Sequence, residues 1–196
     1  MPSIKNHVIK HPNSLLGPYE SGTPVSLLSV EILIDKLTQA LNAYFPEDQD
    51  PADQPIIVGI ETGGYWIANI IHQSIGPDTE LGRLNISFYR DDFTTKGLHP
   101  TVNPSSLPVD INGKTIILID DVLYTGRTIR AAMNEIFDYG RPERIILAIL
   151  VDRGERSIPI QPDIVAQTIQ LEAGSHIKLS GPEPLQLRIK TRIEPG

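Results

Sequence analysis

The sequence predicts an α/β fold, a doubly wound and mostly parallel sheet of about five strands with flanking helices, and three observations predict it. Short apolar runs and helix-period segments alternate through the middle of the chain, the pattern of right-handed βαβ units. The apolar runs are continuous rather than alternating, as strands buried on both faces require. Composition is that of one globular domain: 196 residues, 40% apolar, 21% charged and 6% aromatic. With no Cys in the chain, disulfides, thiolate metal sites and a Cys nucleophile are excluded, and packing alone must hold the fold.

The elements follow in order. Residues 1–24 read as an irregular arm, and residues 25–196 as one domain. Thr23-Pro24 is a helix entry, with Thr at the cap and Pro at the first helical position. From Val25 to Phe45, Leu33, Leu37, Ala40, Leu41 and Tyr44 recur at steps of three and four, an apolar helix face. Ile56-Ile57-Val58-Gly59-Ile60 is a β-branched run ending at a Gly63-Gly64 turn, so it reads as a buried strand, followed by a helix from about Tyr65 to Ile75. Leu84 to Tyr89 is a second strand and Thr115 to Ile119 a third. Helical spacing returns at Ile129, Ala132, Met133, Ile136 and Phe137, with Gly140 and Pro142 closing that helix. Ile145 to Val151 is a fourth strand, and the tail after Asp163 reads as short strands and turns. Between Arg90 and Asp110 lies a long aperiodic segment with Gly97, Pro100, Pro104 and Pro108. Loops of that length in a compact domain usually act as lids or binding loops.

Charge narrows the function. Lys plus Arg number 17 against 24 Asp plus Glu, a formal charge of -7, which argues against a broad basic surface for nucleic acid and against DNA as a partner. The polar N-terminus and the lack of any long apolar run predict no signal peptide, no membrane span and a cytoplasmic location. The histidines at 7, 11, 72, 99 and 176 show no metal-ligand spacing.

The strongest signal runs from Ile116 to Thr128: an apolar strand, the carboxylates Asp120 and Asp121, then Tyr124-Thr125-Gly126-Arg127-Thr128 opening a helix. Ligands of open α/β sheets bind beyond the carboxyl ends of the strands. A Gly turn leading into a helix N-terminus presents N–H groups and a positive dipole end to a phosphate, with Thr125 and Thr128 adding hydroxyls and Arg127 a charge. Paired carboxylates accept the two vicinal hydroxyls of a ribose and attract a divalent cation carried by phosphates. Together these describe a pocket for a ribose 5-phosphate.

That string resembles the signature of the type I phosphoribosyltransferases, and with Ile129-Arg130-Ala131-Ala132 it resembles their PyrR type, which combines pyrimidine-operon regulation with uracil phosphoribosyltransferase activity. Val58-Gly59-Ile60, Ser87-Phe88-Tyr89-Arg90-Asp91-Asp92, Leu107-Pro108-Val109-Asp110, Gly140-Arg141-Pro142 and Leu150-Val151-Asp152-Arg153-Gly154 agree in order and spacing, so the likeness covers about Ile56 to Val165. It implies the type I phosphoribosyltransferase fold with a small hood of short strands at 152–196 and a lid at 90–110. The implied reaction joins uracil to 5-phosphoribosyl 1-diphosphate, giving UMP and diphosphate, in a homodimer or larger assembly that also regulates pyrimidine genes. On this resemblance Asp120, Asp121 and Arg90 are catalytic, and Asp120, Asp121, Thr125, Gly126, Arg127 and Thr128 bind the donor. Thr62, Gly63 and Gly64 form the diphosphate loop, Tyr89, Arg90, Asp91 and Asp92 begin the lid, and Val151, Asp152 and Arg153 meet the base. No residue is assigned directly as a metal ligand; Mg²⁺ is expected with the diphosphate near Asp120 and Asp121.

Two departures bear on function. Many members carry a basic residue in the diphosphate turn, in a Thr-Arg-Gly arrangement, where this chain has Thr62-Gly63-Gly64. That predicts weak turnover or a substitute cation such as Arg90 or Lys96. The positions that bind leader mRNA in the family, on the first helix and after the Val-Asp-Arg-Gly segment, carry few cations here, leaving Arg141, Arg144, Arg153 and Arg156 as a small patch. Two alternatives therefore stand beside the transferase: an RNA-binding attenuation regulator with weak or no catalysis, and a purine (hypoxanthine-type) phosphoribosyltransferase, since the ribose-phosphate motif does not fix the base.

Overall fold

The computed structural model of the protein describes residues 27–45, 50, 53–76, 78–86, 104–108, 110–172 and 174–191. Strand and helix alternate as α1 (Val30–Leu41, followed by a 3₁₀ turn at Asn42–Tyr44), β1 (Ile56–Ile60), α2 (Gly63–Ile75), β2 (Leu81–Leu84) and β3 (Thr115–Leu123). Then come α3 (Arg127–Tyr139), β4 (Arg144–Asp152), β5 (Ile164–Thr168), β6 (Ser175–Ser180) and β7 (Gln186–Thr191). Five strands form one sheet in the order β2-β1-β3-β4-β5, with every neighbouring pair parallel. β6 and β7 pair antiparallel as a separate two-stranded sheet. The expected doubly wound sheet of five strands is present. The fifth strand comes from the tail after Asp163, so the small second sheet is confined to β6 and β7.

The apolar strands are buried on both sides because side chains alternate across the pleat. On β3, Ile117 and Ile119 pack with Leu33, Leu37 and Leu41 of α1 and Ile67 and Ile71 of α2. Ile116 and Leu118 face the other way and pack with Ile129, Ala132 and Ile136 of α3. The sheet thus separates two cores, with α1 and α2 over one face and α3 over the other. Ile177 and Leu179 of β6 join the α1–α2 core, which docks the small sheet on that side.

Several boundaries differ from expectation, each for a local reason. The first helix begins at Val30, not Val25, because the Ser29 side chain caps it by accepting from the Ile32 N–H. The Leu28 N–H is taken by the Gln167 side chain of β5 at 3.1 Å, so residues 27 and 28 approach the helix as non-helical chain. Thr23-Pro24 and the arm 1–24 lie outside the described residues. On α1 the apolar face uses Ile34, which is buried, while Ala40 is exposed. The second strand is Leu81–Leu84 rather than Leu84–Tyr89, because its register with β1 runs from Ile57↔Leu81 to Ile60↔Leu84 and β1 ends there; residues 87–89 lie outside the described residues. β3 continues four residues past Ile119 because β4 pairs with it as far as Leu123↔Asp152. Of the 90–110 segment, the described residues 104–108 return along the edge of β2. Ser106 and Arg83 exchange two backbone hydrogen bonds of 2.7 and 2.8 Å, and Leu107 packs on the α3-side core.

Candidate functional site

In the order β2-β1-β3-β4-β5 the sheet is built outward in opposite directions from β1 and β3. Their carboxyl ends therefore diverge into a crevice, the place where open α/β sheets bind ligands. Two loops flank it, Glu61–Thr62 after β1 and Tyr124–Gly126 after β3.

The first leads directly into a helix. α2 begins at Gly63, two residues earlier than the sequence spacing suggests, so Gly63 and Gly64 are its first turn. The Trp66 N–H closes onto the Thr62 carbonyl; the N–H groups before it lie in the helix's unpaired first turn. Both glycines are required by close approach. A Cβ on Gly63 would collide with the Asp121 carboxylate, and one on Gly64 would stand 2.5 Å from the Ile119 carbonyl oxygen and 2.9 Å from Asp120 Cα. The helix terminus and the acidic end of β3 are thus in direct contact. The peptide joining Glu61 to Thr62 is cis, and Glu61 pairs with Arg83 of β2 at 3.1 Å.

The two carboxylates differ in environment. Asp120 is buried, at 2% exposure, and its Oδ1 accepts the Asp121 N–H at 3.0 Å. Asp121 is half-buried; its Oδ1 accepts the Val122 N–H at 3.0 Å, while its Oδ2 lies against Gly63 on the wall of a cavity. That cavity, about 480 Å³, is bounded by Thr62, Gly63 and Trp66 on the α2 side, by Asp121 and Val122 at the end of β3, and by residues 177–181 of the small sheet. An acidic oxygen and a helix N-terminus facing one space suit a magnesium-bound diphosphate, and this donor set fits that ion. Among the described residues no group of three His, Cys, Asp or Glu side chains gathers to hold a metal by itself.

The second loop is the predicted phosphate turn. Gly126 has φ +88°, a left-handed conformation that side-chain-bearing residues rarely adopt, and it stands immediately before the 13 residues of α3. Thr125 Oγ1 accepts from the Arg127 N–H at 3.4 Å. The turn is backed by the β4–β5 loop: the Ser157 N–H bonds the Thr125 carbonyl at 3.0 Å, and a Cβ on Gly126 would stand 3.0 Å from Ile158. Thr125–Thr128 adjoin the cavity through β3 without forming part of its wall.

Asp152 and Arg153, predicted to meet the base, both turn inward. Asp152 accepts the Gly154 N–H at 2.8 Å and pairs with Arg156 at 2.6 Å. Arg156 also donates to the carbonyls of Ile160, Tyr124 and Gly154 at 2.9, 2.9 and 3.2 Å. One guanidinium thereby ties the start and end of the β4–β5 loop to the residue preceding the phosphate turn. Arg153 is 8% exposed, lies 3.9 Å over the Tyr124 ring and donates to the Ser175 carbonyl at 2.9 Å. Val151 is fully buried. The patch of Arg141, Arg144, Arg153 and Arg156 expected from sequence is therefore cut down, because Arg153 and Arg156 direct their guanidinium groups into the fold, while Arg141 and Arg144 are exposed. Tyr89, Arg90, Asp91 and Asp92, with Lys96, lie outside the described residues.

Trp66, Lys178 and Ser180 on the cavity wall, and Arg156 as the loop clamp, belong to no motif of the chain. Lys178 had a signal in the alternation of β6, where Ser175, Ile177 and Leu179 are buried and His176, Lys178 and Ser180 exposed. Only the docking of β6 puts it beside the site.

Residues 26–184 match the family model described as "Phosphoribosyl transferase domain". Among curated proteins, the chain is 48% identical over 166 residues to the "Bifunctional protein PyrR" of Pseudomonas fluorescens, covering 85% of this chain and 98% of that one. It is 47% identical over 169 residues to the protein of the same name from Nitrosococcus oceani, covering 85% and 94%. Among solved structures, it is similar in fold to a purine phosphoribosyltransferase from Pyrococcus horikoshii, with TM-score 0.53, 22% identity and coverage of 72% and 83%. A hypoxanthine phosphoribosyltransferase from Staphylococcus aureus gives TM-score 0.56, 18% identity and coverage of 75% and 79%. At those identities the structures speak for the fold, not for the base.

Proposed function

Since the chain belongs to the phosphoribosyl transferase family and within it to the PyrR type, we propose that it forms UMP and diphosphate from uracil and 5-phosphoribosyl 1-diphosphate. We propose further that it regulates pyrimidine biosynthesis genes in response to pyrimidine nucleotides. The observation that carries the transferase reading is the contact between the Gly63 helix terminus and the Asp121 carboxylate beside the left-handed Gly126 turn of α3. Diphosphate, ribose and 5-phosphate thereby have adjoining places at one end of the sheet. The purine alternative is not favoured, because the relatives near half identity carry the PyrR name.

Bond cleavage at the anomeric carbon leaves positive charge on the ribose ring and negative charge on the departing diphosphate. Thr125 to Thr128 hold the 5-phosphate with backbone N–H groups and hydroxyls at the start of α3. Asp120 and Asp121 accept from the ribose hydroxyls, and the half-buried Asp121 offers its carboxylate to the positive charge that develops on the ring. Thr62, Gly63 and Gly64 receive the leaving group at the start of α2. Asp121 Oδ2, on the cavity wall, is the side-chain oxygen that would meet a Mg²⁺ brought in with the diphosphate, whose chemistry there would be to neutralise the leaving group's charge. The family resemblance makes Arg90 a further cation for the diphosphate, at the start of the lid with Tyr89, Asp91 and Asp92; these four lie outside the described residues. Val151, Asp152 and Arg153 form the base side. Because both charged side chains are held internally, by Arg156 and by Tyr124 with Ser175, they set the shape of the wall uracil meets rather than offering loose charges to it.

The partners of this reading are uracil or UMP, the donor, pyrimidine leader mRNA and further copies of the chain as a homodimer or higher homo-oligomer; the site of action is the cytoplasm. Purified protein with Mg²⁺, the donor and uracil is expected to produce UMP, and faster than the corresponding nucleotide from hypoxanthine. Failure to form UMP overturns the transferase reading. For the regulatory reading, UMP is expected to promote binding to pyrimidine-operon leader RNA, with affinity falling as salt rises; no retardation of that RNA at low salt counts against it.

A further inference from the structure

We propose that Lys178 of β6 is a side-chain cation of the diphosphate end of this site, besides Arg90; the inference rests on the phosphoribosyl reading above and adds a residue to it. The cavity at the β1–β3 crevice is bounded by two separate parts of the fold: Thr62, Gly63 and Asp121 at the carboxyl ends of β1 and β3, and residues 177–181 of the small sheet, Lys178 and Ser180 among them. Among the described residues, Thr62, Gly63 and Asp121 offer N–H groups, a hydroxyl and a negative carboxylate, but no cationic side chain. None can be placed at Gly63, because even a Cβ there collides with Asp121. Among the described residues bounding the cavity, Lys178 is the only Lys or Arg. A multiply charged diphosphate in that space requires positive charge, and an ammonium on a flexible stem is suited to follow a group that departs during the reaction.

The small sheet supplies a second, independent observation. In its antiparallel register Lys178 lies opposite Arg188. Both are exposed, so two cations face each other across the strands of a chain whose formal charge is -7. Such pairs are unfavourable, and no carboxylate among the described residues forms an ion pair with Lys178. An anion bound at the Lys178 edge relieves that repulsion.

The test is calorimetric titration of the full chain with Mg²⁺ and each of three probes: inorganic pyrophosphate, 5-phosphoribosyl 1-diphosphate, and ribose 5-phosphate, which lacks the diphosphate. Lys178→Gln is expected to weaken pyrophosphate and donor binding by about tenfold or more while leaving ribose 5-phosphate unchanged. Lys178→Arg should restore most of the loss. Lys190→Gln removes the same charge from the same face away from the cavity and should change donor affinity less than about twofold. Wild-type pyrophosphate affinity in Lys178→Gln, or an equal loss in Lys190→Gln, overturns the assignment. A wild-type chain that makes UMP alongside an unaltered Lys178→Gln sinks Lys178 alone. Should the wild type bind none of the three probes, the phosphoribosyl reading falls and the assignment with it.

Discussion

Asp121 keeps one carboxylate oxygen on the Val122 N–H and turns the other toward Gly63, so its charge is oriented before any ligand arrives. Asp121→Asn retains the shape and removes the charge. It is expected to weaken donor binding by about 1.5–3 kcal/mol, the worth of a charge-assisted hydrogen bond, read by titration with the donor; unchanged affinity would remove Asp121 from its role. Gly126 makes the complementary case for backbone. At φ +88°, with Ile158 3.0 Å from where a Cβ would go, Gly126→Val meets both a forbidden conformation and a steric wall. A loss of about 1–3 kcal/mol in stability is expected from the conformation alone, with ribose 5-phosphate binding abolished. Stability comes from denaturant unfolding and binding from the same titration, so the two losses separate.

Between elements, the β4–β5 loop and the phosphate turn depend on one ion pair. Asp152 and Arg156 each retain only 13% side-chain exposure, and their 2.6 Å contact is supplemented by three carbonyls. Arg156→Ala leaves a buried carboxylate without its partner, and about 3–5 kcal/mol of stability is expected to go, with donor affinity falling because Tyr124 and Thr125 lose their backing. Denaturant unfolding of Arg156→Ala beside Asp152→Asn/Arg156→Ala checks this, since removing both charges should recover part of the loss. Ser29, next to the Leu28 whose N–H the β5 residue Gln167 accepts, caps α1 with a long 3.5 Å bond, so Ser29→Ala should cost only about 0.5 kcal/mol. The Glu31 carboxyl is held below its ordinary value by its own backbone N–H and then by the Ser29 hydroxyl. A lowered carboxylate value contributes stability above the unfolded value that is lost as pH falls through the folded one. Glu31→Gln is thus expected to flatten the acid side of the stability curve, read by unfolding between neutral and acidic pH.

Across the whole molecule, two cores share one sheet, and the crevice exists because strands are added outward from β1 and β3 in opposite directions. Leu33, fully buried in the α1–α2 core, should cost about 2–5 kcal/mol as Leu33→Ala, measured by denaturant unfolding; a smaller loss would mean that α1 is not integral to that core. The alternation of strand and helix, the acidic end of β3 and the Gly126 turn are legible in the chain alone. Those features are local: a short, β-branched apolar run bounded by turn residues favours a strand buried on both faces, and a carboxylate pair followed by a Gly turn and a helix is contiguous in the chain. The position of α3 is legible as well, because Gly126 and Gly140 bound it at both ends. Tertiary structure decided what depends on contacts distant in sequence. The start of α1 depended on Ser29 and on Gln167, 139 positions beyond Leu28, and the span of β2 on its register with β1. The inward turn of Arg153 and Arg156 depended on partners such as Ser175 and Tyr124, so cations that read as a surface patch became internal braces. Lys178 went the other way: an unremarked residue of a tail strand reached the cavity wall, because the buried face of β6 packs on the core and leaves its alternate residues at the edge of the site.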